Sequence, residues 1–469
     1  MLDDTIAAIA TPLGEGALAV IRLSGGQAFA IADKVFIPRG KSSQKTSDAS
    51  THTIQYGHIV LGGKVIDEVL VAVMRAPRTF TREDCVEITC HGGVLAAKSV
   101  LDSVLTSGAR LAEPGEFTRR AFLNGRIDLT QAEAVADLIA ARTELALSAA
   151  NEQLAGKLSQ RINEVRDQMM LTLAHLEAHI DFPDEDIAPD TQAQLLGRLQ
   201  RAVEFMDELL RTANEGQVLR RGVRAAIVGR PNAGKSSLLN QLLGHDRAIV
   251  SAIPGTTRDT IEETANVRGI PVVFIDTAGL REGTDEIEIE GIKRSRTSLE
   301  RAELILHVLD DSEPLTEADE DFLREFAGKK RIVVCNKIDL GAPAGGRRVS
   351  TLGSDEHAGW RPALPGAIGV SCTTGEGLEA LKDAIKALVW SGEIRADMLQ
   401  VMINSRHQDA LRRAREATAN TMAAFAAGHG LEIAAMELRL AVNAIGEVVG
   451  KTTTEDLLDA IFSQFCLGK

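Results

Sequence analysis

The stretch of sequence that decides the fold is Gly229-Arg230-Pro231-Asn232-Ala233-Gly234-Lys235-Ser236. A strand-like apolar run at residues 225–228 precedes it, and a helix-like run at residues 237–240 follows it. This strand–loop–helix order is typical of a phosphate-binding loop, in which backbone amides and a helix N-terminus surround phosphate oxygens. We therefore expect Lys235 to pair with the β- and γ-phosphates of a nucleotide and Ser236 to hold Mg²⁺.

Three further motifs follow in chain order, each at the end of a strand-like run: Asp276-Thr277-Ala278-Gly279, Asn336-Lys337-Ile338-Asp339 and Ser371-Cys372-Thr373. The first places a carboxylate near Mg²⁺ and the Gly279 amide near the γ-phosphate. In the second, the Asp339 carboxylate can accept both N–H groups on the edge of guanine, which adenine does not offer. The third supplies backbone donors to the guanine oxygen. Four motifs in this order predict a Ras-like α/β P-loop domain that binds and hydrolyses GTP.

The predicted nucleotide contacts come from the four motifs and from the segment between the first two. They are Asn232, Ala233, Gly234, Lys235, Ser236, Ser237, Ser251, Thr256, Thr257, Asp276, Thr277, Ala278, Gly279, Asn336, Lys337, Asp339, Ser371, Cys372 and Thr373. Thr257 is expected to be the switch threonine that binds Mg²⁺. Asn232 has two interpretations: it is a left-handed turn residue, or its amide oxygen binds a monovalent cation beside the phosphates in place of an arginine finger.

The residue that orients the attacking water is not where Ras-like proteins carry it. Leu280 occupies the position of their glutamine, and an apolar side chain cannot orient water. Glu282, two residues further on, is the candidate catalytic residue and would act through a bridging water. The alternative interpretation is that Glu282 is an exposed loop carboxylate without a catalytic role.

Composition limits the remaining function classes. The chain has 469 residues, a net charge of −14 and 44% hydrophobic residues, which indicates a soluble protein of two or three domains that does not bind nucleic acid by overall charge. It has no apolar run long enough to span a membrane, its first residues are acidic, and its five cysteines lack metal-ligand spacing. We therefore expect reduced thiols, no membrane association and a cytoplasmic location.

The periodicity of apolar residues predicts a domain order. The expected parts are an α+β domain at residues 1–120, a first helical part at 121–218, the GTPase domain at 219–384, and a second helical part at 385–469 that ends in the tail Cys466-Leu467-Gly468-Lys469. Steps of three and four predict a long helix from Leu154 to Ile180, and a last helix near the capping residues Thr453 and Thr454. This order indicates that the GTPase domain is inserted into a helical domain.

The flanking sequence resembles the MnmE/TrmE family over essentially the whole chain. The motifs that carry the resemblance are residues 4–12, 19–25, 114–118, 120–129, 180–183 and Phe465-Cys466-Leu467-Gly468-Lys469. Two positions depart from the family pattern, with Arg82 in place of a glycine and Leu467 in place of an isoleucine.

The resemblance implies a multidomain tRNA-modifying protein. Its N-terminal domain would be similar to the folate-binding domain of aminomethyltransferases and would also form a homodimer. Such proteins pair with the flavoprotein MnmG in a heterotetramer and install aminomethyl or carboxymethylaminomethyl groups at C5 of the tRNA wobble uridine. A tetrahydrofolate derivative (5-formyl or 5,10-methylene) supplies the one-carbon unit, and the FAD of the partner handles the redox step. The GTPase would be stimulated by K⁺ and would depend on dimerisation.

The resemblance also implies particular site residues. The folate contacts would be Arg22, Glu87, Arg126 and Lys469, and the K⁺ contacts would be Asn232, Ser251, Ile253 and Thr256. A carboxylate suits the pterin and cations suit the glutamate tail of folate. From the residues alone, the alternative interpretations are that Glu87 is on the solvent face of a strand and that Arg126 is an ordinary surface charge. An arginine on a strand, such as Arg22, needs a partner.

The C-terminal cysteine also leaves two interpretations open. Cys466 can act as a nucleophile or a general acid/base in the modification, provided that its thiol reaches the folate. Alternatively it is a small buried hydrophobe packed against Phe462 or Phe465.

Two other function classes share part of this pattern. Ribosome-assembly and RNA-chaperone GTPases have the same loop and the same leucine after the second motif, but they usually carry a compact basic RNA-binding module. The other class is a non-enzymatic switch that only gates a partner. A tightly bound folate would separate the tRNA-modifying class from both.

Overall fold

The computed structural model describes residues 4–40, 44–181, 192–244, 262–275, 300–316, 319–320, 324, 328–341, 366–390, 402–427 and 430–469. Within these ranges no helix has the length and apolarity needed to cross a membrane. Several predicted site residues lie outside the described residues, namely Ser251, Ile253, Thr256, Thr257, Asp276, Thr277, Ala278, Gly279 and Glu282.

The N-terminal part is built on a seven-stranded sheet. Its strands are β1 (Ile6–Ile9), β2 (Leu18–Ser24), β3 (Phe36–Pro38), β4 (Thr53–Leu61), β5 (Lys64–Met74), β6 (Cys85–His91) and β7 (Arg110–Leu111), in the order β3-β4-β5-β6-β2-β1-β7. All neighbours are antiparallel except β1 and β7. Helices α1 (Ala28–Val35) and α2 (Val94–Thr106) share a core with the alternate residues Val69, Val71 and Val73 of β5. The α+β prediction is confirmed.

A run of helices follows this sheet. They are α3 (Glu116–Leu123), α4 (Leu129–Ala140), α5 (Glu144–Leu154), α6 (Lys157–Asp181), α7 (Gln192–Arg211) and α8 (Ala213–Arg221). The predicted start of the long helix at Leu154 was wrong, because Leu154 ends α5 and the next helix begins at Lys157. Gly156 separates the two helices with φ of 83°, a left-handed conformation that interrupts helical hydrogen bonding.

The predicted α/β part is a six-stranded sheet with helices. Its elements are β8 (Val223–Val228), α9 (Lys235–Leu243), β9 (Glu263–Val267), β10 (Ile270–Phe274), β11 (Leu304–Asp310), β12 (Arg331–Asn336), β13 (Ile368–Val370) and α10 (Leu378–Val389). The order is β13-β12-β11-β8-β10-β9, and every pair is parallel except β9 with β10. Every residue of the central strand β11 is buried, as expected of a parallel strand covered on both faces. The carboxyl ends of β13, β12, β11 and β8 therefore lie side by side at one edge.

Helices return after the α/β part, as predicted. They are α11 (Ser405–Ala426), α12 (Leu431–Val449) and α13 (Glu455–Phe462). The helices α11 and α12 share one hydrophobic core with α6 and α7, which precede the α/β part in sequence. The predicted cap of the last helix is confirmed at Thr454, whose side chain accepts a hydrogen bond from the Leu457 amide.

A buried ionic group connects α4, α11 and α12 at the point where the chain returns from the α/β part to the helices. Glu133 of α4 accepts hydrogen bonds of 2.8 and 3.0 Å from the Arg406 guanidinium, and His407 Nε2 lies 2.7 Å from its Oε2. Burial alone would raise the pKa of Glu133, but His407 and Arg406 outweigh burial and hold that pKa well below its usual range. Arg406 also donates to the carbonyls of Glu447 and Val448 at the end of α12. Three helices thus depend on one carboxylate.

We expect Glu133→Gln to lower the free energy of unfolding by about 3–5 kcal/mol, because removing one partner leaves the Arg406 charge largely buried without its counterion. The measurement is urea denaturation followed by circular dichroism. The matched control is Asp409→Asn, which removes an exposed 3.0 Å pair with Arg413 on α11 and should cost less than about 1 kcal/mol. Equal losses in the two variants would contradict the role of the buried group.

Candidate functional sites

The phosphate-binding loop lies between β8 and α9 and depends on two glycines. Gly229 and Gly234 have φ of 148° and 92°. A Cβ on Gly229 would lie 2.2 Å from the Val308 carbonyl oxygen, and a Cβ on Gly234 would lie 2.0 Å from Asn336 Nδ2. Asn232 has φ of 62°, the left-handed conformation that its interpretation as a turn residue expects. The loop therefore packs against neighbouring strand ends more closely than any side chain at Gly229 or Gly234 would allow.

Lys235 is held across this loop. Its Nζ donates to the carbonyl oxygens of Gly229 at 2.9 Å and Arg230 at 2.7 Å. Burial holds the pKa of the Lys235 ammonium below its usual range. Ser236 and Ser237 follow in the first turn of α9, whose N-terminus opens onto the same loop. A cation and a helix N-terminus thus converge at one place, which is the electrostatic requirement for binding phosphates.

Asn336 connects the phosphate-binding loop to the last of the four motifs. Its Nδ2 donates to the Ala233 carbonyl at 2.9 Å, and its Oδ1 accepts from the Cys372 amide at 3.3 Å. The residue is 2% exposed. Because both ends of its amide are bonded to the backbone of different segments, Asn336 aligns those segments rather than contacting solvent.

The two predicted guanine-binding segments lie next to each other. Asp339 is exposed on a short 3₁₀ turn, Ile338–Leu340, that begins directly after Lys337. Burial raises the pKa of the Cys372 thiol to about 11, and the negative charge of Asp339 adds to that rise. The hydrogen bond from the Cys372 amide to Asn336 holds residues 371–373 beside the start of the turn that carries Asp339. In this segment the Ser371 amide donates to the Glu376 carbonyl at 2.9 Å and the Cys372 amide donates to Asn336 Oδ1 at 3.3 Å.

Two supporting residues were missed by the sequence analysis. Gln241 of α9 donates to the Cys372 carbonyl at 2.7 Å, but a glutamine on a helix gives no signal of such a role. Asp310 Oδ2 forms an ion pair of 2.6 Å with Lys337 Nζ. The signal was available here, because Asp310 is an acidic residue at the end of the otherwise apolar run 304–309, apart from His307.

The predicted folate residues Arg22 and Glu87 meet on the N-terminal sheet. They are directly opposite each other on β2 and β6, and Arg22 Nε donates to Glu87 Oε1 at 2.8 Å. Their side chains are 21% and 29% exposed, so the pair is accessible from solvent. Glu87 is therefore the partner that an arginine on a strand, such as Arg22, was expected to need.

The C-terminal tail reaches this pair. Arg22 Nη1 donates to the Gly468 carbonyl at 3.4 Å, and the Phe117 amide donates to the Lys469 carbonyl at 3.2 Å. A Cβ on Gly468 would lie 2.4 Å from the Ile9 carbonyl oxygen, so the tail lies tightly against β1. Cys466 is exposed, which does not fit its interpretation as a small buried hydrophobe.

Arg126 is connected to the same region through aromatic side chains. Its Nη1 donates to the Thr79 carbonyl at 2.7 Å, and its guanidinium lies 5.1 Å from the centre of the Phe80 ring. The Arg22 guanidinium lies 5.7 Å from the centre of the Phe117 ring. Phe80 packs against the small apolar cluster that contains Phe117. The structure thus groups Arg22, Glu87 and the tail directly, and Arg126 by way of this cluster.

Arg82 shows why the family pattern has glycine at its position. Its φ is 59°, in the left-handed region that costs a side-chain-bearing residue about 1–2 kcal/mol. Its Nη1 donates to the Asn124 carbonyl at 2.9 Å, a contact that glycine cannot make and that offsets part of this strain.

Known proteins resemble the chain over nearly its whole length. Two family models match the chain, the MnmE helical domain over residues 129–466 and the GTP-binding protein TrmE N-terminus over residues 5–126. The tRNA modification GTPase MnmE of Geobacillus kaustophilus (strain HTA426) is 49% identical over 469 residues, and that of Geobacillus thermodenitrificans (strain NG80-2) is 48% identical; each comparison covers 99% of both chains. The protein of the same name from Listeria innocua is 48% identical over 467 residues, again 99% of both chains. The chain therefore belongs to the MnmE family of tRNA modification GTPases.

Proposed function

We propose that this chain is a K⁺-stimulated, dimerisation-dependent GTPase that works with the flavoprotein MnmG to install aminomethyl or carboxymethylaminomethyl groups at C5 of the tRNA wobble uridine. Family membership makes it a GTPase of tRNA modification. The cation, the homodimer, the partner with its FAD, the folate and the cytoplasmic location are the added proposal. The observation that carries it is the C-terminal tail meeting the Arg22–Glu87 pair.

The proposed domain division keeps the boundaries expected from the sequence, with the GTPase domain at residues 219–384. The support is the shared core of the helices on either side, since α6 and α7 pack with α11 and α12. A chain that leaves one helical core, forms a separate sheet and returns to the same core carries an insertion.

In the proposed nucleotide site, each described group has a separate task. Lys235 and the α9 N-terminus bind the phosphates, while Asp339 and the backbone of residues 371–373 bind guanine. Mg²⁺ would be held by Ser236 with Thr257, and it would neutralise phosphate charge. Ser236 fits this role because it stands in the first turn after the loop lysine.

In the proposed folate site, Glu87 accepts hydrogen bonds from the pterin, and Arg22, Arg126 and Lys469 pair with carboxylates of the glutamate tail. These residues fit such a ligand, because the Glu87 carboxylate and the arginines Arg22 and Arg126 are exposed or partly exposed in the same region. Tetrahydrofolate supplies the one-carbon unit of the reaction when bound. The Cys466 thiol is exposed, and Cys466 directly precedes Leu467 in the tail that ends at Gly468 and Lys469.

We expect Asp339→Asn to lose affinity for GTP and to gain affinity for xanthosine triphosphate. The amide presents a donor where the carboxylate was an acceptor, and xanthine offers the matching oxygen. Equilibrium binding of fluorescent analogues of both nucleotides measures the change, and unchanged GTP affinity would remove Asp339 from the site.

GTP hydrolysis should be faster in K⁺ than in Na⁺ at equal ionic strength by at least about tenfold, since a cation beside the phosphates replaces part of the roughly 10³–10⁵ contribution of an arginine finger. Asn232→Ala should abolish this difference. Asn240→Ala, on the exposed side of α9, is the control and should retain it. Equal rates in both salts, or a specific activity independent of protein concentration, would argue against the proposal.

Cys466→Ser should retain full GTPase activity but abolish the wobble-uridine product in a reaction reconstituted with the flavoprotein partner and tRNA. Leu467→Ala changes the adjacent exposed tail residue and is the matched control, with product formation expected to continue. Both variants should bind 5-formyltetrahydrofolate like the parent chain, which shows that the folate site is intact. Normal product formation by Cys466→Ser would exclude the thiol from the chemistry.

A further inference from the structure

We propose that Asp310 is a positioning residue for guanine recognition, which acts by holding Lys337 and so directing the turn that carries Asp339. The inference rests on the proposed role of Asp339 in binding guanine. Asp310 itself has no contact with the nucleotide in this proposal.

Asp310 is a nearly buried carboxylate with specific partners. It ends β11 and is 5% exposed. Its Oδ2 lies 2.6 Å from Lys337 Nζ, and its Oδ1 accepts from the Ser312 amide at 2.9 Å. Burial alone would raise the pKa of Asp310, but the hydrogen bonds from Lys337 and Ser312 outweigh burial and hold that pKa below its usual range. Asp310 is therefore charged, and the Lys337 ammonium is its fixed counterion.

Lys337 has a backbone conformation that needs external support. Its φ is 67°, a left-handed value that is unfavourable for a residue with a side chain. The Leu340 amide donates to the Lys337 carbonyl at 3.1 Å, so this conformation starts the turn on which Asp339 stands. The direction of Asp339 thus follows from the backbone of Lys337.

Two adjacent side chains hold the start of this turn. Asn336 is fixed by its bonds to Ala233 and Cys372, and Lys337 is fixed by Asp310. Asp310 is also paired with Asn336 across β11 and β12, and the Asp311 amide donates to the Asn336 carbonyl at 2.8 Å. Because Lys337 is 32% exposed, its side chain would turn to solvent if the charge of Asp310 were removed.

The predicted consequence is a loss of guanine discrimination. Asp339 accepts two N–H groups of guanine but one of hypoxanthine, which lacks the exocyclic amine. A displaced carboxylate loses the alignment that favours the second hydrogen bond, which is a strong one because its acceptor is charged. The ratio of the affinities for GTP and ITP therefore reports the position of Asp339.

The experiment measures the dissociation constants of GTP and ITP for the full chain and for Asp310→Asn. We expect the GTP–ITP affinity ratio to fall by about tenfold, equivalent to about 1.4 kcal/mol. A residue that only stabilises the fold would weaken both nucleotides by the same factor. An unchanged ratio therefore overturns the proposal.

Two further variants make the result specific. Asp383→Asn removes a 2.7 Å pair with Arg268 at the surface of the same α/β part, and the ratio should not change. Lys337→Met breaks the same pair at the lysine, so the same fall in the GTP–ITP ratio is expected even if Asp310→Asn does not fold. Lys337 is also an expected nucleotide contact, and loss of a contact shared by GTP and ITP would lower both affinities without changing their ratio. The double variant should match Lys337→Met alone, because both changes break one interaction. Additive losses would show that Asp310 acts independently of Lys337 and would overturn the inference.

Failure of this inference can be told apart from failure of the proposed site. If Asp339→Asn still binds GTP normally, the guanine site itself is wrong. If Asp339→Asn loses GTP while Asp310→Asn keeps the parent GTP–ITP ratio, the site stands and the positioning role of Asp310 is refuted.

Discussion

The buried Asn336 amide is the interaction on which the nucleotide site depends. One side chain bonds the loop after β8 and the segment after β13, and these strands are separated in the sheet by β12 and β11. The bond to Ala233 is possible because Gly234 has no Cβ, which would otherwise lie 2.0 Å from the Asn336 nitrogen. The glycine and the asparagine are therefore one constraint, although about one hundred residues separate them in sequence.

The α/β part is attached to the helices by more than its two chain crossings. Residues Leu145, Ala146 and Ala149 of α5 pack into the core of the α/β sheet. The two crossings also touch, since a Cβ on Gly216 would lie 2.4 Å from the Ile403 carbonyl oxygen. The Glu133–Arg406–His407 group lies just beyond the second crossing. Any displacement of the α/β part must therefore be accommodated by α5 and by these crossings.

The two ends of the chain form the other site. The tail lies against β1 and meets Arg22 across 446 residues of sequence. The helix α13 shares a small apolar cluster with α4, and Phe465 belongs to it. This packing fixes where the tail begins, while Gly468 allows the close approach with which it ends. An exposed cysteine thus occupies a defined place rather than a free end.

The sequence by itself determined the nucleotide motifs and the order of strand-rich and helical parts, because both depend on local patterns, but it did not separate α5 from α6 at Gly156. Apolar periodicity predicted the strand ends that carry the loop lysine and Asp339, and a change of period predicted the return to helix after the α/β part. The register of β2 with β6, the docking of the tail and the Asp310–Lys337 pair came from the tertiary structure alone. The family resemblance predicted Arg22 and Lys469 as folate residues, but it did not predict that they lie close together. Such contacts join residues far apart in the chain, and no local pattern specifies which buried charge meets which partner until packing of the whole chain selects one geometry.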